Sequence, residues 1–404
     1  MNALQIVRAY ILARPLTSLL NLLLLALGVA TMSFVLNASQ QVEQLLTRDA
    51  AGIDLVVGAK GSPLQLILSG IYHLDAPTGN IPLAEAEQLA HHPLVKQAIP
   101  LSLGDSFHGF RIVGTNAAYM AHYQARYAAG GGWLGPMQVV LGATVAQRSG
   151  LTVGGRFVGS HGLAEGGPEH AHEDDFYTVT GVLQPTGTVL DRLVLTPTES
   201  VWQVHEDEEA DEHASTHAAK QPHEREITLL LVQYASPLAA ASLPRQVNAS
   251  SQMQAASPAY ESARLFSLLG VGANVLQVFS MILVLSAALS MFIGLSNALQ
   301  ERRYDLAILR ALGATPAYLA RLMLLEGLLL SLLGALLGLL LGHGLLGLVA
   351  HWTSSAQGMP LHPAMLVVAE GWLLAGALAV GLLATLWPAW RAARTDIHQV
   401  LAQG

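Results

Sequence analysis

Four long apolar runs divide this chain, at residues 17–36, 271–295, 322–349 and 365–387. A helix rises 1.5 Å per residue, so about 20 residues reach across the ~30 Å hydrocarbon core of a bilayer. Each run is therefore predicted to be a membrane-spanning helix. Between the first and second runs the pattern shortens. Gln138-Val139-Val140-Leu141, Arg156-Phe157-Val158 and Tyr177-Thr178-Val179-Thr180-Gly181-Val182-Leu183 read as strands. Leu83 to His91 and Ala143 to Ser149 read as helices, and Gly130-Gly131-Gly132, Gly154-Gly155 and Gly166-Gly167-Pro168 mark turns. Residues 37–268 are thus expected to form a two-lobed α+β domain. A strand-rich lobe at about 131–202 is inserted into a lobe built from both ends of the segment.

A short stretch between the second and third runs carries a different pattern. From Glu301 to Pro316 the chain is charged at its start, and Tyr304, Ile308 and Leu312 recur at i, i+4, i+8 on one helical stripe. Glu301 with Asp305, and Arg303 with Arg310, fall on other faces. Gly313 supplies the left-handed residue that closes a helix, and Pro316 prevents its continuation. The pattern predicts a short amphipathic helix within 296–317, held at a membrane surface.

Composition agrees with the pattern: 52% of the 404 residues are hydrophobic and only 12% are charged, too apolar for an ordinary soluble protein. The absence of cysteine removes thiol catalysis and Cys-based zinc sites. Fifteen of the 28 acidic residues lie between Glu165 and Glu226, and no basic tract suggests nucleic acid. Positive residues set the orientation. Arg8 and Arg14 precede the first run, Arg302, Arg303 and Arg310 lie between runs two and three, and Arg391 and Arg394 follow the fourth. The 351–363 loop carries no Lys or Arg. The expected topology has cytoplasmic segments at 1–16 and 388–404, an uncleaved first span, and the large domain outside. The fold class is a membrane protein with four transmembrane helices and a large α+β extracytoplasmic domain inserted between helices 1 and 2.

Gly334, Gly338 and Gly342 in the third run form a small-xxx-small face for close helix approach, against the alternative of glycines scattered in a Leu-rich helix. Glu326 near the cytoplasmic end of the same run is a costly intramembrane carboxylate, read as a functional candidate or as a structural partner of Arg321 or Arg310. Glu370 is read the same way, and His343 as a packed or hydrogen-bonded helix residue.

Three motifs carry a family resemblance. Glu301-Arg302-Arg303-Tyr304-Asp305-Leu306-Ala307-Ile308-Leu309-Arg310-Ala311-Leu312-Gly313-Ala314 follows the second span, Trp387-Pro388-Ala389-Trp390-Arg391-Ala392-Ala393-Arg394 follows the fourth, and Arg14-Pro15-Leu16-Thr17-Ser18-Leu19-Leu20 enters the first. Together they resemble the FtsX/MacB-type permeases of ABC transporters, the mechanotransmission class that includes lipoprotein-release permeases. Tyr304-Asp305 and Ala307 depart from the commoner residues of the first motif while keeping its charge and size pattern. The stretch from Val56-Val57-Gly58-Ala59-Lys60-Gly61-Ser62-Pro63-Leu64-Gln65 through Thr78-Gly79-Asn80 resembles a zinc-responsive subgroup. The resemblance implies a permease homodimer in the bacterial inner membrane, each copy docking one cytoplasmic ABC ATPase. The chain has no Gly-x-x-x-x-Gly-Lys-[Ser/Thr] loop, so ATP is expected on that partner. Glu301, Arg302, Arg303, Tyr304, Asp305, Ile308, Arg310, Leu312 and Gly313 are the expected coupling residues. Tyr304, Ile308 and Leu312 would fill an apolar cleft, with Glu301, Asp305, Arg303 and Arg310 as rim charges.

Two acidic stretches in the outside domain are rich in histidine. His161, His170 and His172 lie in 161–175, and His205, His213, His217 and His223 in 205–226. Imidazole and carboxylate suit Zn²⁺, with Cu²⁺ or Ni²⁺ as alternatives. A solvating acidic loop and a pH sensor are competing readings. No Ser/His/Asp grouping and no His-Glu-x-x-His supports an enzyme. The function classes are a force-transmitting permease subunit serving a metal-linked or lipoprotein partner, or a regulator of a cell-wall hydrolase with the same architecture.

Overall fold

A computed structural model describes residues 3–161, 171–204, 225–356 and 361–394, without the side chains of 161, 171–175, 303, 305 and 306 among others. It divides into two compact units: residues 1–42, 268–352 and 360–404, and residues 43–267 with 353–359.

The first unit is helical. Among the described residues, four helices are long and apolar enough to cross a membrane. The first span helix is Pro15–Asp49, the second Pro258–Glu301, the third Pro316–Ala356 and the fourth Val368–Ala393. At 44 residues the second measures about 66 Å, twice what a bilayer core requires. Val271, Val275, Val278, Ile282, Leu285 and Leu289 are exposed along it, as a lipid-facing surface demands. The buried seams are built of small side chains. Leu25 and Val29 meet Ala287, Ala335 and Ala377, and Met291 and Leu295 meet Leu330 and Ala384. Small residues bring backbones close where lipid supplies no hydrophobic drive between helices. A further helix, Ala3–Ala13, buries Ile6 and Val7 against Leu322 of the third span helix.

The glycine face of that third helix is where the first span helix comes closest. A Cβ added at Gly338 would stand 2.6 Å from Val29 Cβ and 2.7 Å from the Ala26 carbonyl. One added at Gly342 would stand 2.9 Å from the Ala30 carbonyl, and one at Gly334 3.0 Å from Leu25. At these three positions only glycine fits without displacing a neighbour.

The second unit is a mixed α/β domain. Its strands are β1 (Leu55–Ala59), β2 (Ile81–Pro82), β3 (Val95–Phe107), β4 (Phe110–Thr115), β5 (Tyr127–Gly130), β6 (Gln138–Leu141), β7 (Arg156–His161), β8 (Ala171–Leu183), β9 (Leu193–Pro197), β10 (Glu226–Ile227), β11 (Leu229–Tyr234) and β12 (Met253–Ala256). The main sheet runs β12-β1-β11-β3-β4-β9-β6-β8-β5, with β7 paired to β3 and β8. Strand β3 is long enough to join the two halves of this sheet. Its first half pairs antiparallel with β11 and its second half with β4, with a register shift between Leu103 and Ser106.

Two cores follow from that division. Leu55 and Val57 face Ala86, Leu89, Leu243 and Val247 of the helices Leu83–Ala90 and Pro237–Ser250. Phe107, Ile112, Leu141, Tyr177 and Val194 build the second core. The period-2 pleat sends Val56 to the opposite face from its neighbours, beneath the helix Pro63–Gly70. The Val56–Gln65 motif is thereby a strand, a turn and an N-cap: the Ser62 hydroxyl accepts from Gln65 N–H, and Thr78 Oγ1 donates to the Ala59 carbonyl at 2.9 Å. The last turn of the Pro15–Asp49 helix is tied into this unit, as Asp49 Oδ1 accepts from Val189 N–H at 2.7 Å and its Oδ2 lies 3.3 Å from Arg192.

Candidate functional site

The second span helix stops at Glu301, and the chain turns at Arg302 before the helix Arg303–Ala311 begins. Leu312 N–H bonds back to the Ile308 carbonyl at 2.9 Å, and Gly313 takes φ 101° as its N–H bonds to Arg310. Only glycine adopts that angle without strain. Thr315 Oγ1 then caps Tyr318 N–H at 3.2 Å, and Pro316 opens the third span helix. Helix, stop and restart follow from the local residues.

The short helix has two faces. Ala307 is fully buried, and Leu309 packs on Leu299, Leu319 and Met323 of the bundle. Tyr304, Ile308 and Leu312 are exposed at 52%, 39% and 80%. The apolar stripe legible in the sequence therefore points away from the bundle. Glu301 is exposed and pairs with Arg14. The side chains of Arg303 and Asp305 lie outside the described residues.

Arg302 behaves differently from the other charges of the motif. It is buried, its Nη1 stands 3.5 Å from Glu326 Oε2, and its Nη2 donates to the Tyr10 carbonyl at 3.1 Å. The guanidinium carbon lies 3.9 Å from the centre of the Tyr10 ring, a cation–π contact. Glu326 thus pairs with Arg302, in place of the Arg321 or Arg310 expected from sequence proximity. The direction change at 302 takes this side chain off the helical wheel that begins at 303 and turns it into the bundle. Tyr10 was given no role by sequence reasoning, yet it is the third member of this joint. A cavity of about 20 Å³, large enough for one water, lies beside Glu326 between Tyr10, Asn21 and Gly294.

The motif after the fourth span divides in a similar way. Ala389 and Ala392 pack on Leu319 and Met323, while Trp387 and Trp390 are exposed under Arg391 and Arg394. Exposed Trp with Arg is the residue chemistry of a membrane–water boundary.

A family model for the FtsX-like permease C-terminal region matches residues 277–397, and one for the MacB-like periplasmic core domain matches residues 18–250. The chain belongs to the FtsX/MacB-type ABC transporter permeases. The stretches at 301–314 and 387–394 lie within the first of these matched ranges. Membership implies a multi-pass protein of the bacterial inner membrane.

A curated relative, the lipoprotein-releasing system transmembrane protein LolC of Xylella fastidiosa, is 28% identical over 155 residues, which cover 35% of this chain and 38% of LolC. The match thus spans well under half the length of either protein. Among solved structures, the periplasmic region of MacB from Actinobacillus actinomycetemcomitans overlays with TM-score 0.35 at 11% identity, covering 54% of this chain and 95% of that region. The extracellular domain of the noncanonic ABC-type transporter YknZ from Gram-positive bacteria overlays with TM-score 0.29 at 15% identity, covering 50% of this chain and 98% of that domain. Both overlays are too loose to add to the family assignment.

The candidate metal ligands His170, His205, His213, His217 and His223 lie outside the described residues, as do the side chains of His161 and His172. The backbone pairing of Ser160 with Ala171 sets His161 and His172 at the end of the β7–β8 ladder. Among the described residues no group of three or more His, Asp or Glu is placed to hold a metal ion.

Proposed function

We propose that this permease receives ATP-driven movement from its cytoplasmic ATPase at the 303–311 helix and passes it through the span helices to the domain outside. The observation that carries the reading is the division of the Glu301–Leu312 segment. Tyr304, Ile308 and Leu312 are exposed in an apolar stripe, while Ala307, Leu309 and Arg302 tie the segment to the bundle. An apolar stripe on a short, anchored helix suits docking into a protein cleft, with Glu301 and Arg310 at its rim. A push on that cleft reaches the second and third span helices directly, because the segment joins their ends.

In this reading the permease is a non-catalytic homodimer with both termini in the cytoplasm and its large domain outside. The LolC relative, named for a lipoprotein-releasing system, supports a lipoprotein or other lipid-linked partner. The histidine-rich loops support zinc-linked handling, and saturable Zn²⁺ binding to the full chain by calorimetry tests that branch. No heat of binding near neutral pH would end it.

The coupling helix is tested by Ile308→Asp. The variant is expected to reach the membrane and fold, because Ile308 faces outward. Loss of a buried Ile contact of about 1.5–3 kcal/mol should weaken ATPase co-purification on the order of tenfold to a hundredfold. Undiminished co-purification together with normal ATPase stimulation would overturn the reading. A cell-wall hydrolase retained by the outside domain, with no lipoprotein or metal protein, would favour the regulatory member of the family instead.

A further inference from the structure

About 40 Å along the third span helix from Pro316, at 1.5 Å per residue, a second buried polar cluster surrounds Glu370. Glu370 is 4% exposed. Its Oε1 accepts from Ser33 Oγ at 2.6 Å and from Asn37 Nδ2 at 2.7 Å, and its Oε2 accepts from Val367 N–H at 3.2 Å. His343 Nε2 lies 2.9 Å from the same Oε1, with no aligned hydrogen bond between them. The first, third and fourth span helices meet at one carboxylate.

The other ring nitrogen decides the chemistry. His343 Nδ1 stands 2.6 Å from the Pro363 carbonyl, which can only accept, so Nδ1 carries a hydrogen. In a neutral imidazole the remaining nitrogen, Nε2, is then a bare lone pair facing a carboxylate oxygen. Two acceptors at 2.9 Å repel, whereas one proton between them makes a charge-assisted contact. Oε1 already accepts from Ser33 and Asn37, and a proton covalently held there would displace one of these two donors, so its place is Nε2.

We propose that His343 and Glu370 form a proton-binding site, in which one proton on Nε2 latches the third span helix to the fourth and to the first. Ser33 and Asn37, which face Glu370 from the first span helix, do not titrate. The connecting segment contributes the Pro363 carbonyl and His362, whose backbone pairs with Gln41 at 2.7 and 3.1 Å. His351 lies about two turns further along the third helix. The latch therefore answers to the pH of the compartment that this end of the bundle faces, whichever side of the membrane that is.

The test uses the full chain in lipid nanodiscs with ¹⁵N-labelled histidine, and His343→Gln to assign the signal. At about pH 6 both His343 nitrogens should read as protonated, and raising the pH should remove the hydrogen from Nε2. Thermal stability should fall over the same rise in pH in the wild type and stay level in Glu370→Gln. With its amide oxygen in the place of Oε1 the glutamine still accepts from Ser33 and Asn37, but it carries no charge to hold a proton on Nε2. A neutral His343 from about pH 5.5 to about pH 8.5 would overturn the proposal. So would identical pH dependence in wild type and Glu370→Gln, or saturable Zn²⁺ binding that Glu370→Gln abolishes, which would mark a metal site. Should Glu370→Gln fail to fold, the wild-type nitrogen signals decide alone.

Discussion

Glu326 and Glu370 are equally buried carboxylates in the same helical unit, and they are neutralised in opposite ways. Glu326 faces the guanidinium of Arg302, which keeps its charge at every pH a cell meets. Glu370 faces an imidazole, whose charge is conditional. The contacts also differ. Arg302 reaches Glu326 at 3.5 Å and spends its other nitrogen on Tyr10, whereas Glu370 gathers donors at 2.6 to 3.2 Å from the first span helix and its own helix start. The lesson is that burial alone does not tell a joint from a switch; the partner does. Next to the 303–311 helix the partner is permanently charged.

The largest effect expected from breaking this comparison is at Arg302. Arg302→Ala leaves Glu326 buried without its cation, which costs about 3–5 kcal/mol when one partner of a buried pair is removed. The measurement is the yield of monodisperse protein and its unfolding midpoint in detergent. Adding Glu326→Gln to the same background should restore most of the loss, since no buried charge then remains. If the double variant is as unstable as the single one, the joint matters for packing rather than for charge. Next in size is Gly338→Leu, which drives a side chain into Val29 and the Ala26 carbonyl and should cost about 1–3 kcal/mol, as overpacking does. Gly344→Leu on the same helix points into open space and should leave the midpoint nearly unchanged.

Much of this fold was readable in advance because its signals are local. The spans follow from length and hydropathy, and the 303–311 helix from its stripe and its Gly stop. The strands Gln138–Leu141 and Arg156–Val158 and the helices Leu83–Ala90 and Ala143–Ser149 follow from period and caps. What escaped depends on a change of direction or on two distant segments. Arg302 sits at a helix break, so a wheel drawn through 301–312 cannot show that it turns inward. Its neighbour Arg303 looks equivalent in sequence. Counting would have helped: Glu326 needs a cation, and of the arginines that open the motif one had to supply it. The His343–Glu370 contact joins two helices through a loop and leaves no periodic trace. The second core of the domain reaches back to Phe107 because β3 runs through both halves of the main sheet, and no composition shift marks that point.

The smallest expected effect sharpens the comparison by reversing its sign. His73 is buried in the extramembrane domain at φ 52°, with Nε2 3.1 Å from Tyr119 Oη and no partner for Nδ1. Burial first, and then the charges of Arg111 and Arg192, hold its pKa well below the usual 6.5, so it stays neutral when folded. The unfolded chain takes up a proton there as pH drops through about 6.5 and the folded one does not, so stability is lost on the acid side and is level above. His343 predicts the opposite, a loss as pH rises. His73→Asn suits the positive φ, because Asn tolerates that region, and it removes the titrating group. The acid-side slope of the unfolding midpoint should shrink by the equivalent of at most about 1.4 kcal/mol per pH unit. An unchanged slope below about pH 6.5 would mean that His73 protonates without opening the domain. Neutral burial would then be no obstacle to charge at this position, and the distinction drawn between the two histidines would rest on His343 alone.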